Sequence, residues 1–247
     1  MKRIALLWFV CLFYLEICAQ EGKIYNSLDE ALKNPANVFA LDLTLNDLSE
    51  LPDNIGGLSN LKELYLNANK LSSLPEGIGK LGNLRNLSLN ANSLNKLPES
   101  IGKLTNLKNL GLGDNKLTEL PSGIGTLPRL VKLDLVNNKL ATLPESIGKL
   151  AELTALELDD NLITSLPATI GNLSKLTTLG LTGNQLTTLP ESIGKLIYLQ
   201  SLYLGNNQLT SLPQSITRLT NLKFIHLDGN PDLVLTPAQK EFIEKLK

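Results

Sequence analysis

Apolar residues recur along most of the chain with a period of 23 residues. One period starts at Leu61 with LKELYLNANKL, which has leucine at positions 1, 4, 6 and 11 and asparagine at position 9. The L-x-L step alternates apolar and variable residues, as in a strand with one buried face. We therefore expect Leu64 and Leu66 to point inward. Tyr65, between them, is expected to point outward.

The second half of each period reads L-P-x-x-I-G-x-L, and LPESIGKL occurs in identical form from Leu97, Leu143 and Leu189. The proline lacks an N–H group and fits the first turn of a short helix, while the glycine suits the end of that helix. One unit buries too few apolar side chains to offset its ordering entropy, so neighbouring units must stack. The pattern predicts a curved solenoid with a parallel sheet on its concave face and short helices or turns on its convex face.

Asparagine occupies position 9 in nine consecutive periods. These residues are Asn46, Asn69, Asn92, Asn115, Asn138, Asn161, Asn184, Asn207 and Asn230. The carboxamide both donates and accepts hydrogen bonds, so it can satisfy backbone groups where the chain leaves the sheet. We interpret the asparagine as structural, because aspartate could not donate in the same place.

The repeats from Val38 to Asn230 resemble the leucine-rich-repeat family, whose pattern is L-x-x-L-x-L-x-x-N-x-L. The intervening L-P-x-x-I-G-x-L is similar to the 23-residue subclass of plant Ras-group and bacterial repeat proteins. This resemblance implies an α/β leucine-rich-repeat solenoid of horseshoe shape that binds its partners on the concave face. The absence of cysteine-rich caps favours the bacterial members of the family.

The segments that flank the repeats predict capping helices. Ser27 followed by Glu30 favours a helix start, and Thr236 followed by Pro237 favours another. The predicted organisation is a signal peptide at 1–19, an N-terminal capping helix within 20–37, nine repeats at 38–230 and a C-terminal capping helix within 231–247.

The first 19 residues differ in character from the repeats. Lys2 and Arg3 precede an apolar run that is shorter than the roughly 20 residues needed to cross a bilayer. We interpret the segment as a secretory signal peptide cleaved near Ala19, which predicts a secreted, periplasmic or cell-surface protein without a transmembrane segment in its mature form. A membrane anchor and a lipoprotein acylated at Cys18 are the alternatives.

Composition excludes several kinds of chemistry. The formal net charge of −1 provides no basic excess for a nucleic acid backbone. Both cysteines, Cys11 and Cys18, lie in the predicted signal segment, and His226 is the single histidine of the chain. The mature chain therefore lacks the residues for a disulfide framework, a thiolate metal site or a Cys–His nucleophile. We expect no cofactor, no metal and no enzymatic activity.

Outward positions of adjacent repeats form candidate binding features in the middle and at the ends of the concave face. Five carboxylates in the middle form what we call the acidic patch: Asp114, Asp134, Glu157, Asp159 and Asp160. Aromatic residues flank it, with Tyr65 on one side and, on the other, what we call the aromatic end: Tyr203, Phe224 and His226. The patch is consistent with a solvated face, a site for a basic protein surface or a weak calcium site. Phe224 has a second interpretation, as a residue covered by the terminal helix.

The leading hypothesis is an exported, monomeric, non-enzymatic module that binds a protein partner. A structural or adhesive component of the cell envelope that binds glycan or matrix is the alternative, and a row of aromatic residues in the groove would favour it. An enzyme would require a convergent acid, base and nucleophile, which the repeat pattern does not provide.

Overall fold

The computed structural model describes residues 23–246, which form one sheet of ten parallel strands in sequence order. The strands are β1 (Ile24–Tyr25), β2 (Ala40–Asp42), β3 (Glu63–Tyr65), β4 (Asn86–Ser88), β5 (Asn109–Gly111), β6 (Lys132–Asp134), β7 (Ala155–Glu157), β8 (Thr178–Gly180), β9 (Ser201–Tyr203) and β10 (Phe224–His226). The predicted solenoid is confirmed. The two-residue strand β1 lies before the first repeat, and the repeat pattern gave no signal for it.

The sheet keeps the 23-residue register from β2 to β10. Leu64 pairs with Leu87, and Leu87 pairs with Leu110, so equivalent residues of successive repeats lie side by side. These inward leucines are at most 1% exposed, and they belong to one continuous aliphatic core that runs the length of the stack. Burial against both neighbouring repeats supplies the stabilisation that a single repeat lacks.

The convex side consists of short 3₁₀-helices. They are Pro35–Asn37, Asp53–Gly57, Glu76–Lys80, Glu99–Lys103, Ser122–Thr126, Glu145–Lys149, Ala168–Asn172, Glu191–Lys195 and Gln214–Arg218. In the repeats, the predicted place of the proline in the first turn was wrong by one residue. Pro144, for example, is the extended residue that precedes its helix, with φ −68° and ψ 147°. Its ring suits this place because the φ of proline is fixed near the observed value.

The glycine of the I-G pair has a different role from the predicted one. Gly148 lies inside its 3₁₀-helix, and a Cβ added there would lie 2.3 Å from the carbonyl oxygen of Thr169 in the next repeat. Equivalent contacts occur at Gly102 and Gly171, at 2.4 and 2.3 Å. The glycine is therefore needed because adjacent convex helices approach each other closely, not because it ends the helix.

The position-9 asparagines form the predicted hydrogen-bonded ladder. Asn138 Nδ2 donates to the carbonyl oxygens of Leu112 and Leu135 at 2.9 and 3.1 Å, and its Oδ1 accepts from the Leu117 N–H at 3.0 Å. Asn138 is 7% exposed. Asn46 is the exception, because it is exposed and its Nδ2 donates to the Thr44 carbonyl oxygen.

A helix lies near each end of the stack. Helix α1 (Leu28–Lys33) begins after Ser27, whose hydroxyl accepts from the Glu30 N–H. Helix α2 (Pro237–Glu244) begins with a capping box between Thr236 and Gln239. Both start at the caps expected from the sequence. The predicted signal peptide at 1–19 lies outside the described residues.

Candidate functional site

The last residue of each strand from β2 to β10 points into the concave face, and together these residues form a continuous column across the sheet. The column comprises Asp42, Tyr65, Ser88, Gly111, Asp134, Glu157, Gly180, Tyr203 and His226, each paired in register with the next. Asp134 and Glu157 are direct neighbours on β6 and β7. The column places Gly111 on one side of this carboxylate pair and Gly180 on the other.

The carboxylates of Glu157 and Asp159 both lie over Gly180. A Cβ added to Gly180 would lie 2.4 Å from Glu157 Oε2 and 2.4 Å from Asp159 Oδ2. Asp159 is held there by its Oδ1, which accepts from the Thr182 N–H at 2.6 Å. The missing side chain on β8 thus lets two carboxylates from neighbouring positions converge.

Burial changes the protonation of the acidic patch. The pKa of Glu157 is raised to about 7, first by burial and then by the charges of Asp159 and Asp134. Burial also raises the pKa of Asp134, and the charges of Asp114 and Asp159 add to this effect. The pKa of Asp159 is raised mainly by burial, although its hydrogen bonds to Thr182 oppose the shift. The patch therefore gains negative charge as the pH rises through neutrality.

The remaining two acidic residues lie on the turns that follow the strands. Asp114 and Asp160 have positive φ values of 55° and 56°, and both side chains are exposed. Asp114 Oδ1 accepts from Asn137 Nδ2 at 2.6 Å, which links the turns of adjacent repeats. The two residues form the rim of the acidic patch, and Asp134, Glu157 and Asp159 form its floor.

Aromatic side chains meet at the C-terminal end of the sheet. The rings of Tyr203 and Phe224 lie 5.3 Å apart with an interplanar angle of 49°. Phe224 is 47% exposed, so the interpretation that the terminal helix covers it was wrong. His226 lies over Gly205, and its Nε2 is 3.4 Å from the Asp228 carboxylate. The three residues of the aromatic end thus occupy adjacent positions on β9 and β10.

Tyr65 belongs to a polar ladder that the sequence analysis missed. Its hydroxyl donates to Glu63 Oε2 at 3.2 Å, and the same oxygen accepts from Asn86 Nδ2. Asn86 Oδ1 in turn accepts from Asn109 Nδ2. These residues also recur at the 23-residue interval, so the period was the signal that could have revealed them. The ladder orients Tyr65 on the far side of the concave face from the aromatic end.

The described part of the chain shows neither a metal-binding cluster nor a membrane-spanning helix. Within residues 23–246, no group of three or more histidine, cysteine or acidic side chains has a geometry that could hold a metal ion. The calcium interpretation of the acidic patch therefore has no geometric support. No helix in the same range is long and apolar enough to span a bilayer.

The fold and the concave face define a class of protein, a leucine-rich-repeat solenoid built from 23-residue units. A family model described as a leucine-rich repeat region matches residues 99–180 and 168–246, and a second, described as a leucine rich repeat, matches residues 59–117. The chain therefore belongs to the leucine-rich-repeat family, and its structural neighbours support a bacterial type. No curated protein sequence matches it.

Three solved structures illustrate the similarity. A leucine-rich-repeat protein of Leptospira interrogans is 39% identical with a TM-score of 0.78, over 90% of this chain and 62% of that protein. An internalin of Listeria monocytogenes is 25% identical with a TM-score of 0.67, over 83% and 62%. The ectodomain of a plant membrane receptor kinase from Arabidopsis thaliana, in complex with CASPARIAN STRIP INTEGRITY FACTOR 2, is 35% identical with a TM-score of 0.70, over 76% and 23%. The chain thus spans less than two thirds of each of these proteins.

Proposed function

We propose that the protein is an exported, non-enzymatic module that binds a protein partner on its concave face. The observation that carries the proposal is the convergence of Glu157 and Asp159 in the middle of the sheet, with Asp134 on the adjacent strand and the aromatic end two strands beyond Glu157. A carboxylate cluster favours a basic partner surface, and exposed aromatic residues are common anchors of interfaces. The similar receptor ectodomain was solved with a bound factor, which supports the same kind of role.

The partner is expected to contact both features at once. The column on the sheet runs from Glu157 through Gly180 to Tyr203, so the carboxylates that lie over Gly180 stand between β7 and the aromatic ring of Tyr203. A basic side chain placed over these carboxylates would be attracted to them and would pack against the ring. The proposed partner is therefore a protein with a basic surface and not a nucleic acid.

Export rests on the N-terminal pattern, and it has its own test. Intact-mass measurement of the exported protein is expected to show a chain that starts near Gln20 and contains no thiol. A mass that still includes residues 1–19 would indicate an anchor. A lipid adduct on Cys18 would indicate a lipoprotein.

Binding can be tested with the chain as bait, followed by measurement of kinetics with the captured partner. Replacing Asp134, Glu157 and Asp159 by Asn, Gln and Asn is expected to slow association and to flatten its salt dependence, because the steering charge is lost. Tyr203→Ala is expected to act mainly on dissociation, at a cost of about 2 kcal/mol. The control is Lys80→Ala at the end of a convex 3₁₀-helix. If both concave variants bind like the parent, the concave face is not the site.

A structural or adhesive role in the cell envelope is the second candidate. The tilted pair of Tyr203 and Phe224 favours it, because aromatic faces also bind sugar rings. The same variants distinguish the two roles. Glycan binding should depend on the aromatic pair and be insensitive to the triple carboxylate change and to salt.

A further inference from the structure

The parallel sheet ends at β10 with one open edge. Strand β10 pairs with β9 on one side, and it pairs with no other strand among residues 23–246. The backbone of a strand presents its N–H and C=O groups to the two sides alternately. Which groups face the open side follows from the hydrogen bonds made on the paired side.

Those hydrogen bonds fix the direction of each residue of β10. The Phe224 N–H donates to the Gln200 carbonyl oxygen at 3.0 Å, and the His226 carbonyl oxygen accepts from the Leu204 N–H at 2.8 Å. Both residues therefore direct their backbone groups toward β9. By alternation, the N–H and C=O of Ile225, between them, face the open side.

The residues just before and just after β10 also carry backbone groups that face the open edge. In the preceding repeat, the Leu204 N–H and the Gln200 carbonyl oxygen both bond to β10 or to the residue before it. The equivalent groups of the last repeat are the Leu227 N–H and the Lys223 carbonyl oxygen. Within the described residues, neither has a corresponding backbone partner.

The inward side chains of the last repeat are incompletely covered. Leu202 and Leu204 of β9 and its extension are 0% exposed, whereas the equivalent Ile225 and Leu227 are only partly buried. Helix α2 makes its main contacts with the 3₁₀-helix Gln214–Arg218. The cap therefore protects the convex part of the last repeat and leaves its strand open.

We propose that, in contrast to the monomer expected from the sequence, two copies of the chain associate through β10, in antiparallel orientation about a two-fold axis at Ile225. In this arrangement Ile225 exchanges both backbone hydrogen bonds with Ile225 of the second copy. The Leu227 N–H donates to the Lys223 carbonyl oxygen of the second copy, and the reverse bond forms by symmetry. All four outward groups identified above then have partners, and the two sheets become one.

A second copy fits this edge better than the other end of the same solenoid does. A head-to-tail contact would use β1, which offers only two residues, Ile24 and Tyr25. The two-fold contact instead opposes Phe224 with His226 of the second copy, so each copy extends the aromatic end of the other. Natural edges are often protected by charges or proline; the paired stretch contains no proline, and its one lysine, Lys223, lies at its first position. An isologous contact of this kind is also closed, so it stops at a dimer.

The first test is the mass of the full chain in solution, measured by analytical ultracentrifugation over a range of concentrations. Because the paired edge is short, we expect a weak dimer whose population rises with concentration. Phe224→Lys introduces a residue that protects natural edges, and it should weaken the dimer about tenfold. Tyr198→Lys is the matched control, since Tyr198 is 56% exposed on a turn outside the strand. A monomer at all concentrations, or equal dimerisation of the Phe224 variant, would overturn the proposal.

The second test fixes the register. Positions 224 and 226 of different copies would form a non-hydrogen-bonded antiparallel pair, with Cα atoms about 4.5 Å apart, which is suitable for a disulfide. In a background with Cys11→Ser and Cys18→Ser, the double variant Phe224→Cys, His226→Cys is expected to form a covalent dimer linked 224 to 226. Lys132→Cys, Asp134→Cys is the control, because strand β6 is paired on both sides. No cross-link, cross-linking of the control to the same extent, or a linkage other than 224 to 226 would overturn the antiparallel pairing.

Discussion

At the scale of single residues, the 23-residue period predicts which side chains share a column on the sheet but not the conformations of those side chains. The sequence places Asp134 beside Glu157, and the register confirms this neighbourhood. The approach of Glu157 and Asp159 over Gly180 depends on side-chain torsions that no spacing encodes. The elevated pKa of Glu157 follows from that approach and from burial, so the sequence could predict an acidic patch but not its titration near neutral pH.

The asparagine ladder leads to a prediction about a single amide. Asn138→Asp keeps the shape of the side chain but cannot donate to the Leu112 and Leu135 carbonyl oxygens, and it buries a charge. We expect a loss of about 2–4 kcal/mol in the free energy of unfolding. Asn46→Asp is the matched control and should be nearly neutral, since Asn46 is exposed. Urea denaturation measures both variants, and equal midpoints would contradict the role assigned to the ladder.

Titration of Glu157 gives a pH-dependent prediction. Its folded pKa of about 7 lies above the ordinary value of 4.5, so the folded state retains a proton that the unfolded state loses. Between pH 4.5 and 7, Glu157 releases its proton when the chain unfolds. The free energy of unfolding therefore falls as the pH rises through this range. Glu157→Gln should raise the free energy of unfolding at pH 8 by about 1 kcal/mol, after allowance for solvent screening, and change it little at pH 4.

Thermal denaturation at the two pH values measures this difference. Glu119→Gln serves as the control, because Glu119 is an exposed glutamate outside the acidic patch. It should show the same small effect at both pH values. A Glu157 variant that is no more stable than the parent at pH 8 would mean that the buried carboxyl is not destabilised by ionisation.

At the scale of elements, strands were easier to predict than the convex segments. Each L-x-L step fixes an inward and an outward face, and the strands lie where those steps occur. Five-residue helical segments carry too short a pattern to distinguish a 3₁₀-helix from an α-helix. The contact between Gly148 and the Thr169 carbonyl oxygen joins two repeats, so it could not be recognised from one repeat alone.

This contact predicts a different response for two glycines. Gly148→Ala should destabilise the fold by about 1–3 kcal/mol, because its methyl group would meet a backbone carbonyl that cannot move independently. Gly82→Ala should be neutral or slightly stabilising, since nothing lies within 4 Å of its added Cβ. Chemical denaturation of the two variants compares them directly. Similar midpoints would show that adjacent convex helices can separate at little cost.

At the scale of the whole molecule, each repeat contacts mainly its two neighbours. Strands and 3₁₀-helices both pack against their counterparts in the repeats before and after them. The stability of such a stack is approximately a sum of repeat terms and interface terms. The ends of the stack differ from its middle because an end repeat has a neighbour on one side only. The sequence predicted the two terminal helices from their capping residues but not the short strand β1.

Nearest-neighbour stacking predicts that a whole repeat can be removed if the register is kept. Deleting residues 143–165 removes β7 with its 3₁₀-helix and joins Thr142 to Leu166. Strand β6 should then pair with β8, with Asp134 beside Gly180, and the Leu140 N–H should bond to Asn184 in place of Asn161. We expect a folded chain that is less stable by about 1–3 kcal/mol, in proportion to its shorter length. Circular dichroism and urea denaturation measure the fold and the loss of stability.

Deleting residues 144–165 is the control, because 22 residues break the register and leave inward leucines facing solvent. The deletion that keeps the register also removes Glu157, so the stability of the shortened chain should lose the part of the pH dependence near neutrality that Glu157 contributes. If both deletions unfold the chain, its cooperativity extends over more than neighbouring repeats.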